Sequence, residues 1–278
     1  MSDPRSLGIF DSGVGGLTVA RAVIDLLPNE PITYFGDTAR YPYGDRPVEE
    51  IRSFAREIAA SLLGRDVKML VVACNSIEVA AIEELTDRAG VPVVGVIDAG
   101  VRAALRATRN GKVGVIGTTA TVESGAYDRA VARERGDVTL SSAACPAFVP
   151  HVESGDTTSD ELLSVARRYL APLEVAGIDT LILGCTHYPL LSGLLQVVMG
   201  PDVVLISSAE EVAKDVYKGL VEADMLRDDG PAPRHEFLCS GDPASFGALT
   251  ARFLGPEATD VRATSVQLAP LGDGGSWS

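Results

Sequence analysis

The sequence predicts an α/β fold made of two similar parallel-sheet lobes related by pseudo-twofold symmetry. Short apolar runs alternate with amphipathic stretches, a pattern typical of parallel strands covered by helices on both faces. Two of these runs, which end at Cys74 and Cys185, read almost as copies of each other. Gly114 lies 106 residues after Gly8. Cys185 lies 111 residues after Cys74, and the similar separations indicate an internal duplication, so we expect the active site in the cleft between the lobes.

The first lobe is predicted to begin with a strand at 7–10, a glycine-rich turn and a helix at 17–27. Pro28 and Pro31 end that helix because proline cannot continue it. Further strands are predicted at 32–35, 67–73 and 91–97, and further helices at 47–64 and 76–89. The aliphatic run before Cys74 lacks alternation and is typical of a strand buried on both faces, so the cysteine falls at the carboxyl end, where open α/β sheets bind ligands.

The second lobe repeats this order from residue 111. Its predicted strands lie at 111–117, 138–143, 179–184 and 202–206, and its helices lie at 122–135, at 158–176 and from about Pro189. The segment from Cys145 to Gly155 is predicted to be a loop. The remaining segment is predicted to form a helix at 208–223, a strand at 236–240 and a helix at 243–253, packed on the first lobe. The proposed division is therefore 1–98 with 208–270, then 99–207, with a disordered tail at 271–278.

Composition and charge exclude several classes of function. The 278 residues carry a net charge of −14 without a basic stripe, which argues against a general affinity for nucleic acid. No apolar run approaches the roughly 18 residues of a membrane helix, and no signal-peptide region follows the start, so we expect a cytoplasmic protein. The four cysteines are far apart and include no CxxC pair, which favours free thiols over a disulfide framework.

The turn Gly13-Val14-Gly15-Gly16 after the first strand resembles a dinucleotide-binding turn, with Asp37 near the place of a ribose-binding acid. The third glycine of GxGxxG would fall at Thr18, however, and Asp11 at the strand end would repel a pyrophosphate. The sequence therefore disfavours a nicotinamide or flavin cofactor.

Two thiols at equivalent strand ends suit a two-base proton transfer. Inverting a carbon that bears a weakly acidic hydrogen requires a base on one face and an acid on the other. A free cysteine titrates near pH 8.5 and can take either role after modest tuning, for which Asp11 and His187 are the nearby candidates. A nucleophilic Cys185 activated by His187 is an alternative, but it leaves Cys74 unexplained. Metal binding is a third reading, although no ligand pair has zinc spacing.

Five separated motifs resemble the glutamate racemase family of the aspartate/glutamate racemase superfamily. They are DSGVGGLT at 11–18, YPYG at 41–44, ACNS at 73–76, VESG at 152–155 and GCTHYPL at 184–190. The resemblance covers nearly the whole chain, and it implies a cofactor-independent racemase that supplies D-glutamate for peptidoglycan. It also implies a homodimer, and some members are associated with inhibition of DNA gyrase.

The resemblance further implies roles for individual residues. Cys74 would remove the α-proton of D-glutamate with help from Asp11, and Cys185 that of L-glutamate with help from His187. Glu153 would be an auxiliary acidic group. The substrate would be held by Asp11, Ser12, Tyr43, Gly44, Asn75, Ser76, Thr118, Thr119, Thr121, Cys185 and Thr186.

The chief departure from the family pattern is at Ser76, and three other functions stay open. Ser76 stands where the family more commonly has threonine, and its hydroxyl is retained. An aspartate racemase, a hydantoin racemase and a gyrase-regulating protein on the same scaffold are the alternatives.

Overall fold

A computed structural model describes residues 3–254 and 263–268 of the chain. The predicted tail at 271–278 lies outside the described residues. Two compact units are present: the described residues of Met1–Val96 and Ala209–Ser278 form the first, and Ile97–Ser208 forms the second. Among the described residues, no helix is long and apolar enough to span a membrane.

The described strands and helices alternate along the chain. The strands are β1 (Leu7–Asp11), β2 (Ile32–Gly36), β3 (Met69–Val72), β4 (Val93–Val94), β5 (Lys112–Gly117), β6 (Thr139–Ala144), β7 (Thr180–Gly184), β8 (Val204–Ile206), β9 (Glu236–Cys239) and β10 (Ala263–Ser265). The helices are α1 (Leu17–Leu26), α2 (Val48–Leu63), α3 (Asn75–Arg88), α4 (Ile97–Ala107), α5 (Thr119–Glu123), α6 (Ala126–Glu134), α7 (Phe148–Ser154), α8 (Asp160–Ala176), α9 (Ser192–Met199), α10 (Ala209–Glu222) and α11 (Pro243–Leu254), with a 3-10 helix at Tyr188–Leu191.

Each unit contains a parallel sheet, which confirms the prediction of two parallel-sheet α/β lobes. The strand order in the first unit is β10-β9-β2-β1-β3-β4, and the order in the second is β6-β5-β7-β8. Within both sheets the first strand is flanked by the second and the third, and the fourth lies beyond the third. The strands before Cys74 and Cys185, β3 and β7, therefore hold equivalent places in sheets of the same topology. The segment after α10 adds β9 and β10 to the first sheet, where β9 pairs with β2.

The apolar runs form the interior of each sheet. Every residue of β1, β2, β3 and β7 is buried, which explains why these segments show no polar alternation. Glycines permit close approach near the strand ends. A Cβ on Gly16 would lie 2.6 Å from the Cβ of Asp11, and one on Gly184 would lie 2.7 Å from the carbonyl oxygen of Ile116. Larger residues there would force the strand ends apart.

Several predicted elements differ from the structure. The strand predicted at 91–97 is only Val93–Val94, and the unpredicted helix α4 begins at Ile97. The helix predicted at 122–135 is divided into α5 and α6 by Gly125, whose φ of +63° interrupts the helix. The predicted loop from Cys145 to Gly155 contains α7, and β10 is a short strand that the sequence does not predict. Proline occurs in the segments at 91–97 and 145–155, and β10 is only three residues long.

Candidate active site

Cys74 lies in the first unit, where β3 gives way to α3. It occupies the N-cap position of α3, and its side chain is 7% exposed. Its Sγ lies 3.6 Å from Ser12 Oγ, within hydrogen-bond distance for sulfur. Burial raises the pKa of Cys74 to about 12, and the nearby negative charge of Asp11 adds to the effect. The backbone N–H groups of Ile77 and Ser12 lower this pKa but do not offset the burial, so Cys74 is a neutral thiol near pH 7.

Asp11 closes β1 and is fully buried. Its Oδ2 accepts a hydrogen bond of 2.9 Å from the backbone N–H of Gly13, which fixes the turn that leads into α1. The carbonyl oxygen of Gly13 in turn accepts a hydrogen bond of 2.9 Å from the hydroxyl of Tyr34. The carboxylate of Asp11 is therefore held in place near Cys74, where its charge acts on the thiol.

The other predicted substrate-binding residues of the first unit also lie on defined elements. Asn75 and Ser76 are buried and begin α3 directly after Cys74. Tyr43 and Gly44 lie in the segment between β2 and α2, where Tyr43 is 1% exposed and Gly44 is half-buried. The hydroxyl of Tyr43 donates to the carboxylate of Asp37. Polar side chains and backbone amides thus surround the strand ends of this sheet.

Cys185 lies in the second unit, directly after β7, and its side chain is 8% exposed. Its Sγ lies 3.9 Å from Nδ1 of His187, which is 2% exposed. On the other side of the ring, His187 Nε2 lies 3.0 Å from Glu153 Oε1. The three side chains form a chain of contacts from thiol to imidazole to carboxylate, which orients the imidazole and can pass a proton.

Glu153 reaches His187 because residues 148–154 form α7 and not the predicted loop. Beyond α7, Gly155 adopts a φ of +90°, and the backbone N–H of Asp156 donates to the carbonyl oxygen of His151 at 2.9 Å. His151 also contacts the Asp156 carboxylate, with 2.9 Å between Nδ1 and Oδ2. The end of α7 that carries Glu153 is therefore anchored to the segment leading into α8.

Threonine hydroxyls follow β5 and β7 in the second sheet. Thr118 follows β5 and caps α5, where its Oγ1 accepts a hydrogen bond from the backbone N–H of Thr121 at 3.3 Å. The Oγ1 atoms of Thr118 and Thr121 are 3.0 Å apart. Thr118, Thr121 and Thr186 are buried, and Thr119 is half-buried. These residues supply neutral donors and acceptors of the kind expected around a carboxylate.

Sequence reasoning did not assign a site role to two further residues. The sequence indicates for Asp37 only a place in a dinucleotide site, yet its carboxylate accepts a hydrogen bond from Tyr43, and Arg40 donates to the same oxygen at 2.7 Å. The signal was present in the spacing, because Arg40 and Tyr43 lie three and six residues after a buried acid. In the described part of the chain, no group of three or more His, Cys, Asp and Glu side chains could hold a metal ion.

Each unit thus holds a buried thiol after its third strand, and each thiol has polar partners. The family model for Asp/Glu/Hydantoin racemase matches residues 17–216. The chain therefore belongs to the Asp/Glu/Hydantoin racemase family, and it is a racemase.

Individual relatives agree with this assignment. The chain is 55% identical over 273 residues to a glutamate racemase of Beutenbergia cavernae, which covers 94% of this chain and 93% of the relative. Its structure resembles that of glutamate racemase isoform RacE1 from Bacillus anthracis, with a TM-score of 0.90, 41% identity and coverage of 95% and 98%. It also resembles the glutamate racemase of Francisella tularensis in complex with D-glutamate, with a TM-score of 0.88, 34% identity and coverage of 95% and 98%.

Proposed function

We propose that this racemase interconverts L-glutamate and D-glutamate by exchanging the α-proton between two cysteine thiols. The observation that carries the proposal is the equivalence of Cys74 and Cys185, which follow the third strand of two sheets whose first four strands have the same order. The similarity to glutamate racemases over nearly the whole chain supports glutamate as the substrate.

The proposed step balances without a redox partner. With L-glutamate, the thiolate of Cys185 takes the proton from the α-carbon, and the C–H electron pair stays on the substrate as a carbanion. The thiol of Cys74 then gives its proton to the opposite face, which yields D-glutamate and leaves a Cys74 thiolate. The reverse reaction exchanges the two roles.

The surroundings of the thiols support this assignment. Because its pKa is raised to about 12, Cys74 enters the cycle as a thiol, the form needed to protonate the carbanion made from L-glutamate. His187, supported by Glu153 at 3.0 Å, is placed to accept or return the proton of Cys185. Each thiol thus has its own assistant, Asp11 for Cys74 and His187 for Cys185.

We further propose that neutral donors hold the substrate carboxylates. The candidates are Ser12, Tyr43, Gly44, Asn75, Ser76, Thr118, Thr119, Thr121 and Thr186, together with the backbone of Asp11 and Cys185. Donors that are already in place stabilise the charge that develops on the α-carboxylate as the proton leaves. Neutral donors also leave the two thiols without a permanent ion pair.

The cellular role follows from the same proposal. D-glutamate made in the cytoplasm would serve peptidoglycan synthesis, and four free cysteines suit a reducing compartment. A homodimer is proposed from the family resemblance, and light scattering of the purified chain would detect one.

The test is racemisation in heavy water without added cofactor. L-glutamate should lose its optical rotation and gain deuterium at the α-carbon, and D-glutamate should do the same. Aspartate and a substituted hydantoin serve as parallel substrates in the same assay. The glutamate assignment fails if either of those turns over while glutamate does not.

A further inference from the structure

The first unit contains a buried cluster of charges next to the proposed substrate-binding segment. Asp37 follows β2, is fully buried, and donates its backbone N–H to the carbonyl oxygen of Asp11 at 3.1 Å. Its Oδ2 accepts hydrogen bonds from Nε of Arg40 at 2.7 Å and from the hydroxyl of Tyr43. One carboxylate therefore joins the end of β2 to two positions of the segment that carries Tyr43 and Gly44.

A second set of contacts fixes this carboxylate from outside the segment. Ser240, just after β9, donates from Oγ to Asp37 Oδ1 at 2.5 Å and accepts from the backbone N–H of Ala39 at 2.9 Å. Arg40 also donates to the carboxylate of Glu57 on α2. Its guanidinium lies 3.9 Å from the centre of the Phe54 ring, which Tyr43 also contacts with 5.4 Å between ring centres.

Burying this cluster of charges costs free energy, which indicates that the cluster does more than fill the interior. Three charged side chains that are buried or largely buried require desolvation, which an apolar cluster of similar volume would avoid. Charge-assisted hydrogen bonds with fixed directions, by contrast, hold a loop in a single geometry. The segment that receives this fixation is the one on which the proposed glutamate site depends.

We propose that Asp37 is a positioning residue for racemisation, which orients the Tyr43–Gly44 segment for substrate binding through its bonds to Tyr43 and Arg40. The inference rests on the proposed function, because glutamate is the substrate whose binding is measured. Asp37 itself touches no reacting atom and acts through Tyr43.

The same strand provides a matched control. Glu30 precedes β2 as Asp37 follows it, is 1% exposed, and forms an ion pair of 2.7 Å with the fully buried Lys68. Glu30 Oε1 also accepts a hydrogen bond of 2.7 Å from the backbone N–H of Arg227. Asp37→Asn and Glu30→Gln therefore make the same chemical change, carboxylate to amide, at a buried acid at opposite ends of one strand.

The experiment measures KM and kcat for both enantiomers in the wild-type chain and the two variants. Asp37→Asn is expected to raise KM at least about tenfold and to change kcat much less. The reason is that loss of a charge-assisted bond weakens the binding of the substrate and of the transition state alike. Glu30→Gln is expected to lower the thermal midpoint and leave KM within about twofold, since its cost falls on folding. An unchanged KM in a folded Asp37→Asn chain, or equal KM shifts in both variants, would overturn the inference.

Tyr43→Phe keeps the inference testable if Asp37→Asn does not fold. It removes only the hydroxyl and leaves the backbone N–H groups of Tyr43 and Gly44, so KM should again rise about tenfold. Where both variants fold, the double variant should show less than the sum of the two effects, because both remove the same bond. Wild-type KM in Tyr43→Phe, or full additivity, contradicts the inference, whereas a wild-type chain that does not racemise glutamate rejects the proposed function as well.

Discussion

Cys74 and Cys185 follow equivalent strands and are almost equally buried, at 7% and 8% exposure, but their neighbours differ. Cys74 contacts the hydroxyl of Ser12, and the negative charge of Asp11 raises its pKa. Cys185 contacts His187, which is supported by Glu153. The shared strand order accounts for the common backbone position, whereas the side chains next to each thiol differ between the two units.

The difference can be traced to two pairs of equivalent segments. Asp11 ends β1 and pairs with Gly36, while the equivalent end of β5 is Gly117, which pairs with Ala144 and has no side chain to offer. In the first unit, Asp37 and Tyr43 follow the second strand, β2. In the second unit, α7 with Glu153 follows the second strand, β6. The side chains near each thiol therefore come from different strand ends in the two units.

The largest expected effect comes from removing either thiol. Cys74→Ser and Cys185→Ser should each reduce racemisation by roughly 10³-fold, because a serine hydroxyl neither gives nor accepts the proton readily at neutral pH. Cys145→Ser and Cys239→Ser are the matched controls, since both residues are free and buried but have no proposed role. Polarimetry with both enantiomers checks the prediction. Near-normal activity in either of the first two variants would contradict the paired-thiol mechanism.

The second expected effect separates the two assistants. His187→Asn should slow racemisation about 10²-fold and increase the primary deuterium isotope effect more for L-glutamate than for D-glutamate, because Cys185 is assigned to the L-enantiomer. Asp11→Asn should increase it more for D-glutamate. The measurement compares α-deuterated with unlabelled substrate in both directions. Isotope effects that change equally in both directions would show that the two assistants are not specific to one thiol.

These two assistants also show how far the sequence predicts the site. Asp11 and His187 lie at strand ends within the motifs, so the alternation of strands and helices already predicts that they lie near Cys74 and Cys185. The contact of Glu153 with His187 spans 34 residues and depends on α7, a helix that the sequence does not predict. Pro150 suggests a loop, yet it occupies the third position of α7, where its missing N–H has no partner within the helix.

The fold is predictable for a similar reason, and the wrong predictions of individual elements have physical causes. Long unbroken apolar runs such as β1 and β7 are buried on both faces and are recognised easily. The run at 91–97 looks like one strand, but the strand ends at Val94, and the backbone N–H of Val96 instead donates to the Glu78 carboxylate at 2.5 Å. A tertiary contact from α3 thus ends the strand and permits α4 to begin at Ile97.

The smallest expected effect concerns the charge that distinguishes the Cys74 site. In a Cys185→Ser chain, the rate of Cys74 alkylation by iodoacetamide should rise about tenfold per pH unit from pH 7 to pH 10 without levelling, because its pKa is raised to about 12. Asp11→Asn should lower that pKa and speed alkylation at pH 8 by about threefold to tenfold, as expected when a neighbouring negative charge is removed. Mass spectrometry of the Cys74 peptide measures both rates.

The same pKa shift predicts the direction of a stability change. Because the folded chain holds the pKa of Cys74 above the ordinary cysteine value of 9.0, this stabilisation is complete below pH 9 and is lost as the pH rises toward about 12. The free energy of unfolding should therefore fall less steeply between pH 9 and pH 10.5 in Cys74→Ser than in the wild type. Urea unfolding at each pH checks this. If alkylation of Cys74 levels off below pH 9 and the two slopes agree, Cys74 is not held as a thiol, and its contrast with Cys185 cannot rest on the charge of Asp11.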